Sequence, residues 1–114
     1  MDTIKKLSDY AIVTGYRTRF IGCPKTIDND LALTDHTPGY GSDRKIYRNI
    51  CKRIIRDSFC LEYGKGLVSI VEIMGRNAGW LTGAAALAKG EDCLGPDLIY
   101  LPELPFDIEA FSEK

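Results

Sequence analysis

Apolar residues recur at helical spacing at the start of the chain, where Ile4, Leu7 and Ala11 fall on one face of a short amphipathic helix ending near Gly15. Phe20-Ile21-Gly22 reads as the end of a strand. Pro24 then keeps Cys23 out of the helical region, and a polar stretch from Lys25 to Gly41 follows. At roughly seventeen residues this loop exceeds the usual ~2–6 of a strand-to-helix connection, and loops of that length are usually functional or disordered. Ser42 or Asp43 can cap the next helix, which runs to about Leu61 with Ile46, Tyr47, Ile50, Cys51 and Ile54 in one arc. Arg44, Arg48, Lys52 and Arg56 stand opposite at four-residue spacing, and a solvated face is the stronger account of them. Tyr63-Gly64-Lys65-Gly66 breaks the helix. Leu67-Val68-Ser69-Ile70-Val71-Glu72-Ile73 then gives a β-branched run with the character of a buried strand. A third helix over Ala78–Lys89, capped by Asn77 and ended by Gly90, leads to a last short strand at Asp97-Leu98-Ile99-Tyr100-Leu101. This alternation predicts an α/β fold with a parallel sheet and right-handed crossovers. The chain opens on a helix where an α/β unit normally opens on a strand, so a preceding first strand is expected.

The length of 114 residues suits one domain on a prior of ~100–200. A hydrophobic share of 45% and a charged share of 27% are ordinary for a globular chain and argue against disorder. The formal charge of -1 gives no whole-chain attraction for nucleic acid or an anionic membrane, so any bound anion must meet a local site. With no apolar run of membrane-spanning length and no signal-peptide start, the chain reads as cytoplasmic. Cys23, Cys51, Cys60 and Cys93 are widely and unevenly spaced, which disfavours a zinc site or a disulfide scaffold and suits reduced cysteines.

Two constellations could carry chemistry. In Thr26-Ile27-Asp28-Asn29-Asp30, an extended backbone would place Thr26, Asp28 and Asp30 on one face, with the acidic positions roughly 6.6–7 Å apart. Two ionised carboxylates at that distance repel by ~0.6 kcal/mol in water and ~2.4 kcal/mol at an effective dielectric of 20. Solvent or a cation must be near. Magnesium bound through one or two carboxylates plus substrate phosphates meets that need, and a neighbouring carboxylate can accept the proton of an attacking hydroxyl. Lys25 adds a point charge suited to phosphate. Read locally, capping of turns by Thr26, Asp28 and Asn29 remains the stronger account.

The second constellation is Met74-Gly75-Arg76-Asn77-Ala78-Gly79-Trp80, between a strand and a helix. Free N–H groups at a helix start, a glycine for close approach and the Arg76 fork suit a phosphate. A glycine turn with Arg76 in a structural ion pair and Trp80 in the core accounts for it equally well. Glu72, inside an apolar run, needs a partner when buried, with Arg76 or Lys25 the candidates. The single histidine, His36, reads as a surface or turn residue.

Pro24-Lys25-Thr26-Ile27-Asp28-Asn29-Asp30-Leu31, Thr34-Asp35-His36-Thr37-Pro38-Gly39-Tyr40-Gly41-Ser42 and Val71-Glu72-Ile73-Met74-Gly75-Arg76-Asn77-Ala78-Gly79-Trp80 together resemble the phosphofructokinase family, and most closely its pyrophosphate-dependent branch. The resemblance covers nearly the whole of residues 1–114, and PKTIDND with MGRNAGW in this order is specific to that family. It implies a parallel-sheet, three-layer, Rossmann-like architecture. It also implies transfer of a phosphoryl group from pyrophosphate or ATP, with Mg2+, to the 1-hydroxyl of fructose 6-phosphate in glycolysis, by a homo-oligomer. Asp28 then matches the proton acceptor, Thr26, Ile27 and Asp28 a sugar-phosphate contact segment, and Met74, Gly75 and Arg76 a second one. Asp30 matches the second acid of the motif, near the metal and the transferring group. Lys25 stands where the pyrophosphate enzymes carry lysine. The family's glycine- and aspartate-rich donor segment is expected before Met1, and Leu67 stands where many ATP enzymes carry a cross-subunit arginine. The chain therefore reads as an internal part of a longer enzyme, inactive by itself. An ATP-dependent relative and a noncatalytic remnant or interaction domain are the other readings.

Overall fold

Helix α1 spans Asp2–Thr14 and ends as its sequence predicts: Gly15 takes a left-handed conformation at φ 73, and Tyr16 N–H donates to the Ala11 carbonyl at 2.9 Å. That pair of features is a Schellman stop, which costs a residue with a Cβ more than it costs glycine. Ala11 is buried and Ile4 half-buried on the inner side of α1, while Leu7 stays nearly half exposed. A computed structural model of the chain describes residues 1–61, 64 and 66–114, so Tyr63 and Lys65 of the expected helix break lie outside the described residues.

Helix α2, Tyr40–Cys60, starts at Gly39, earlier than the Ser42 or Asp43 cap that the sequence suggests. The Gly39 carbonyl accepts from Ser42 N and Asp43 N, so glycine opens the first turn and Asp43 sits inside it, where its charge favours the helix dipole. The third helical region is α3, Trp80–Gly83, continued by a 3-10 turn over Ala84–Ala88, and a short α4 spans Ile108–Ser112 under an Asp107 cap. Gly79 rather than Asn77 occupies the N-cap position of α3.

The core forms where α2 meets the alanine run: Cys51, Ala85 and Ala88 are buried together, with Ile73 and Ile99 packed on them. Leu81 is fully buried, whereas Trp80, expected in the core, is 57% exposed. Alanines let the 3-10 turn approach α2 closely, a geometry that a bulky indole would prevent. Burial raises the Cys51 thiol pKa, as desolvation of the thiolate requires.

The packed face of α2 keeps Cys51 of the expected arc in the core and Tyr47 and Ile54 half-buried, but not the whole arc. Ile46 and Ile50 are exposed, while the basic stripe, expected to be solvated, grips the neighbouring segment. Arg48 Nε donates to the Leu87 carbonyl at 3.0 Å, and Lys52 and Arg56 each reach Asp92 at 2.6 Å. These contacts tie the alanine turn to α2 at its C-terminal carbonyl and at the loop beyond it. The Lys52 hydrogen bond, aided by attraction to Lys52 and Arg56, lowers the Asp92 carboxyl pKa. Its stabilisation is therefore present above the unfolded carboxylate value and is lost as pH falls through the lower folded value. We expect acid titration of thermal stability to show this loss in the parent protein and less of it in Asp92→Asn; superimposable pH slopes would remove the clamp from the account.

The strands expected at Phe20–Gly22, Leu67–Ile73 and Asp97–Leu101 do not pair. Among the described residues the only β pairings are single bridges, Thr26 with Gly39 and Gly90 with Cys93. Val68 and Ile70, expected in a buried strand, are 80% and 86% exposed. A strand is stable only when neighbours satisfy its backbone and cover its apolar faces; here the core covers only Ile73 and Ile99, and no ladder partner for these runs lies among the described residues. The shape shows the same shortage: the radius of gyration is 20.6 Å, against ~13 Å for a compact chain of this length. No described helix is long and apolar enough to cross a membrane.

Candidate active site

The long loop is closed at its base by the parallel bridge between Thr26 and Gly39. Gly39 has φ 100, and a Cβ there would lie 3.0 Å from Ile27 Cγ2, so both backbone conformation and packing call for glycine. Inside this closure, Thr26 Oγ1 accepts from Asp28 N at 3.1 Å. Asn29 is 7% exposed and left-handed at φ 58; its Oδ1 accepts from Thr37 N at 2.9 Å and its Nδ2 donates to the Asp35 carbonyl at 3.2 Å. Thr26 and Asn29 thus fill the turn-capping roles weighed from the sequence. Asp28, caught between them, does not.

The left-handed residue also overturns the expected common face of Thr26, Asp28 and Asp30. Alternation of side chains requires a continuous extended backbone, and Asn29 interrupts it. Asp28 is half-buried, Asp30 is exposed, and Lys25 is exposed as well.

One oxygen of Asp28, Oδ1, is buried with no hydrogen-bond partner among the described residues. Leaving a carboxylate oxygen desolvated and unpaired is costly, so its place in the fold is informative. Gly75 faces it: a Cβ at Gly75 would stand 4.0 Å from Asp28 Oδ1. Gly75 has φ 119, and the same Cβ would meet the Ala78 carbonyl oxygen at 2.5 Å. The two constellations, far apart in sequence, therefore meet at an unpaired acid oxygen and a backbone that only glycine permits.

Met74 is 59% exposed, and Arg76 is exposed with no ion pair among the described residues. Glu72 is exposed too and does not pair with Arg76 or Lys25, because the run expected to bury it is uncovered. His36 lies on the loop surface with its ring 5.7 Å from that of Tyr40.

The start of α3 is not the open anion site that the sequence suggests. Gly79 N donates to Glu103 Oε1 at 2.7 Å, and a Cβ at Gly79 would collide with the same carboxylate. Glu103 was missed in the sequence because it follows a predicted strand, distant from any helix start. Its signal was an acid lodged between Pro102 and Leu104, next to a chain segment that glycine at 79 admits.

No group of three His, Cys, Asp or Glu side chains able to hold a metal occurs among the described residues. A protein-only metal cage is therefore not built here. The exposed Asp30 fits magnesium in its other mode, through one carboxylate and the phosphates of a substrate.

Comparison with known proteins extends these observations. A family model described as phosphofructokinase matches residues 1–114. The pyrophosphate–fructose 6-phosphate 1-phosphotransferase of Xanthomonas campestris is 44% identical over 113 residues, which cover 99% of this chain and 27% of the relative. An ATP-dependent 6-phosphofructokinase of Chloroflexus aurantiacus is 39% identical over 94 residues, covering 82% of this chain and 24% of the relative. Among solved structures, a pyrophosphate-dependent phosphofructokinase from Marinobacter aquaeolei superposes with a TM-score of 0.83 at 39% identity, covering 98% of this chain and 29% of that one. The chain thus spans about a quarter of the length of the proteins it matches, and over that span its course is that of the α/β phosphofructokinase fold. Matched along its whole length by one family model and sharing its path with a solved member, the chain belongs to the phosphofructokinase family.

Proposed function

We propose that these residues form the acid loop and one wall of the sugar-phosphate site of a cytoplasmic, pyrophosphate-dependent 6-phosphofructokinase. The enzyme converts fructose 6-phosphate and pyrophosphate to fructose 1,6-bisphosphate and phosphate, working as a homo-oligomer. The observation that carries this reading is the unpaired, buried Asp28 Oδ1 facing Gly75. The half-buried Asp28 carboxylate meets no donor at Oδ1 among the described residues, so its acceptor capacity remains for the proton of the sugar 1-hydroxyl. As that proton moves to Asp28, the sugar oxygen bonds to the terminal phosphorus, the bridging P–O bond breaks and phosphate leaves. Thr26 and Ile27 on one side, and Met74, Gly75 and Arg76 on the other, bind and orient the sugar phosphate, with the Arg76 fork suited to its phosphate oxygens. Lys25, exposed at the entrance to the loop, offsets charge on the transferring group. Magnesium, held by Asp30 and the substrate phosphates when bound, supplies further neutralisation there.

Donor choice is the point on which an ATP-dependent reading competes, favoured by the likeness to the Chloroflexus aurantiacus kinase. Lys25→Gly in the complete enzyme separates the two. We expect kcat/KM with pyrophosphate to fall by about the 10²-fold of a lost transition-state contact, and kcat/KM with ATP to change much less. An equal or reversed effect on the two donors removes Lys25 from the donor site. Product formation from ATP alone in the unmodified enzyme overturns the pyrophosphate assignment.

A further inference from the structure

We propose that Asn29 is a positioning residue for Asp28, acting through a side-chain clasp across the loop; the proposal rests on the proton-acceptor reading of Asp28. Asn29 touches no residue of the opposite wall in any hydrogen bond. All its polar contacts run to its own loop, to the Asp35 carbonyl and to both N and Oγ1 of Thr37. Both groups of its amide are used, and Asn29 and Thr37 are 7% and 4% exposed, so the clasp is shielded from competing water. The backbone pays for the arrangement with a left-handed residue at φ 58, a conformation that asparagine tolerates better than most side chains.

The consequence for Asp28 is geometric. On its N-terminal side Thr26 holds the Asp28 N–H and is itself bridged to Gly39. On its C-terminal side the next residue is locked to Asp35 and Thr37. Asp28 is therefore fixed from both sides while its own Oδ1 meets no hydrogen-bond partner among the described residues, and that combination holds the acid beside Gly75 with its acceptor unused.

The test is a double-mutant cycle in the complete enzyme, crossing Asn29→Gly with Asp28→Ser. Glycine keeps the left-handed backbone and deletes only the clasp. We expect Asn29→Gly alone to lower kcat by about 10²-fold, the scale of a misplacement near 1 Å, with the KM for fructose 6-phosphate altered far less. In the Asp28→Ser background the same change should lower kcat by less than about 3-fold, because residues acting as one unit are not additive. A loss of equal size in both backgrounds, tracking the thermal midpoint, overturns the positioning role and leaves a structural one. An Asp28→Ser enzyme that turns over normally defeats the underlying proton-acceptor reading instead. Should Asn29→Gly give little folded enzyme, Thr37→Val carries the same cycle, since it removes the Oγ1 donor of the clasp without adding a charge beside Asp28.

Discussion

Replacing Asp28 by serine or asparagine in the complete enzyme is expected to lower kcat by about 10²–10⁴-fold, the contribution of a positioned general base. The two variants fail for the same chemical reason by different structural routes. Asparagine keeps the planar shape and the contact with Gly75 but cannot take up a proton at neutral pH. Serine leaves space and a hydroxyl that ionises far too high to serve. Stability should move the other way, because Asp28 Oδ1 is buried and unpaired, and removing that group relieves a desolvation cost. A variant that melts at or above the wild-type temperature while losing turnover is the signature of a residue kept for chemistry. Steady-state kinetics with thermal melting reads both quantities. Wild-type turnover in either variant, or loss of turnover matched by loss of fold, would exclude Asp28 as the proton acceptor.

The helices were legible in the residues because their signals are local. Gly15 stops α1 at the position its sequence indicates, and α2 runs within a few residues of its expected ends. The face that α2 buries was legible only in part: Cys51 of the expected arc is in the core, with Tyr47 and Ile54 half-buried. Apolar periodicity also selected Ile46 and Ile50, but packing is decided by what the neighbour offers, and alanines at 85 and 88 with Asp92 beyond them draw in Cys51 and the cationic edge. The strand at Leu67–Ile73 has the composition of a buried strand and remains uncovered, since burial depends on chain that a local pattern does not contain. At the site, residue types singled out Asp28 and Gly75, which the fold brings close together, yet an extended-chain assumption put Asp30 on the face of Thr26 and Asp28. The αL turn at Asn29 comes from contacts to Asp35 and Thr37, which are set by the closed loop rather than by the pentapeptide.

Gly75→Ala should be the most damaging single-methyl change in the chain. At φ 119 an alanine incurs backbone strain of ~1–3 kcal/mol, and its Cβ would lie 2.5 Å from the Ala78 carbonyl oxygen. A backbone oxygen cannot swing away as a long side chain can, so residues 75–78 must shift together. That shift moves the neighbouring Met74 and Arg76, and the added methyl stands 4.0 Å from Asp28 Oδ1. Displacement by about 1 Å in such a site costs on the order of 10²-fold in rate. We therefore expect kcat/KM for fructose 6-phosphate to fall by about 10²-fold and the thermal midpoint to drop. Gly83→Ala provides the contrast, since its Cβ would make only an ordinary 4.0 Å contact with Leu101 Cδ2 inside a helix, where alanine is favoured. It should leave kinetics and fold near wild type. Equal tolerance of alanine at 75 and 83 would mean that the two walls do not meet as the Asp28–Gly75 geometry requires, and the sugar-phosphate site would have to be sought elsewhere in the chain.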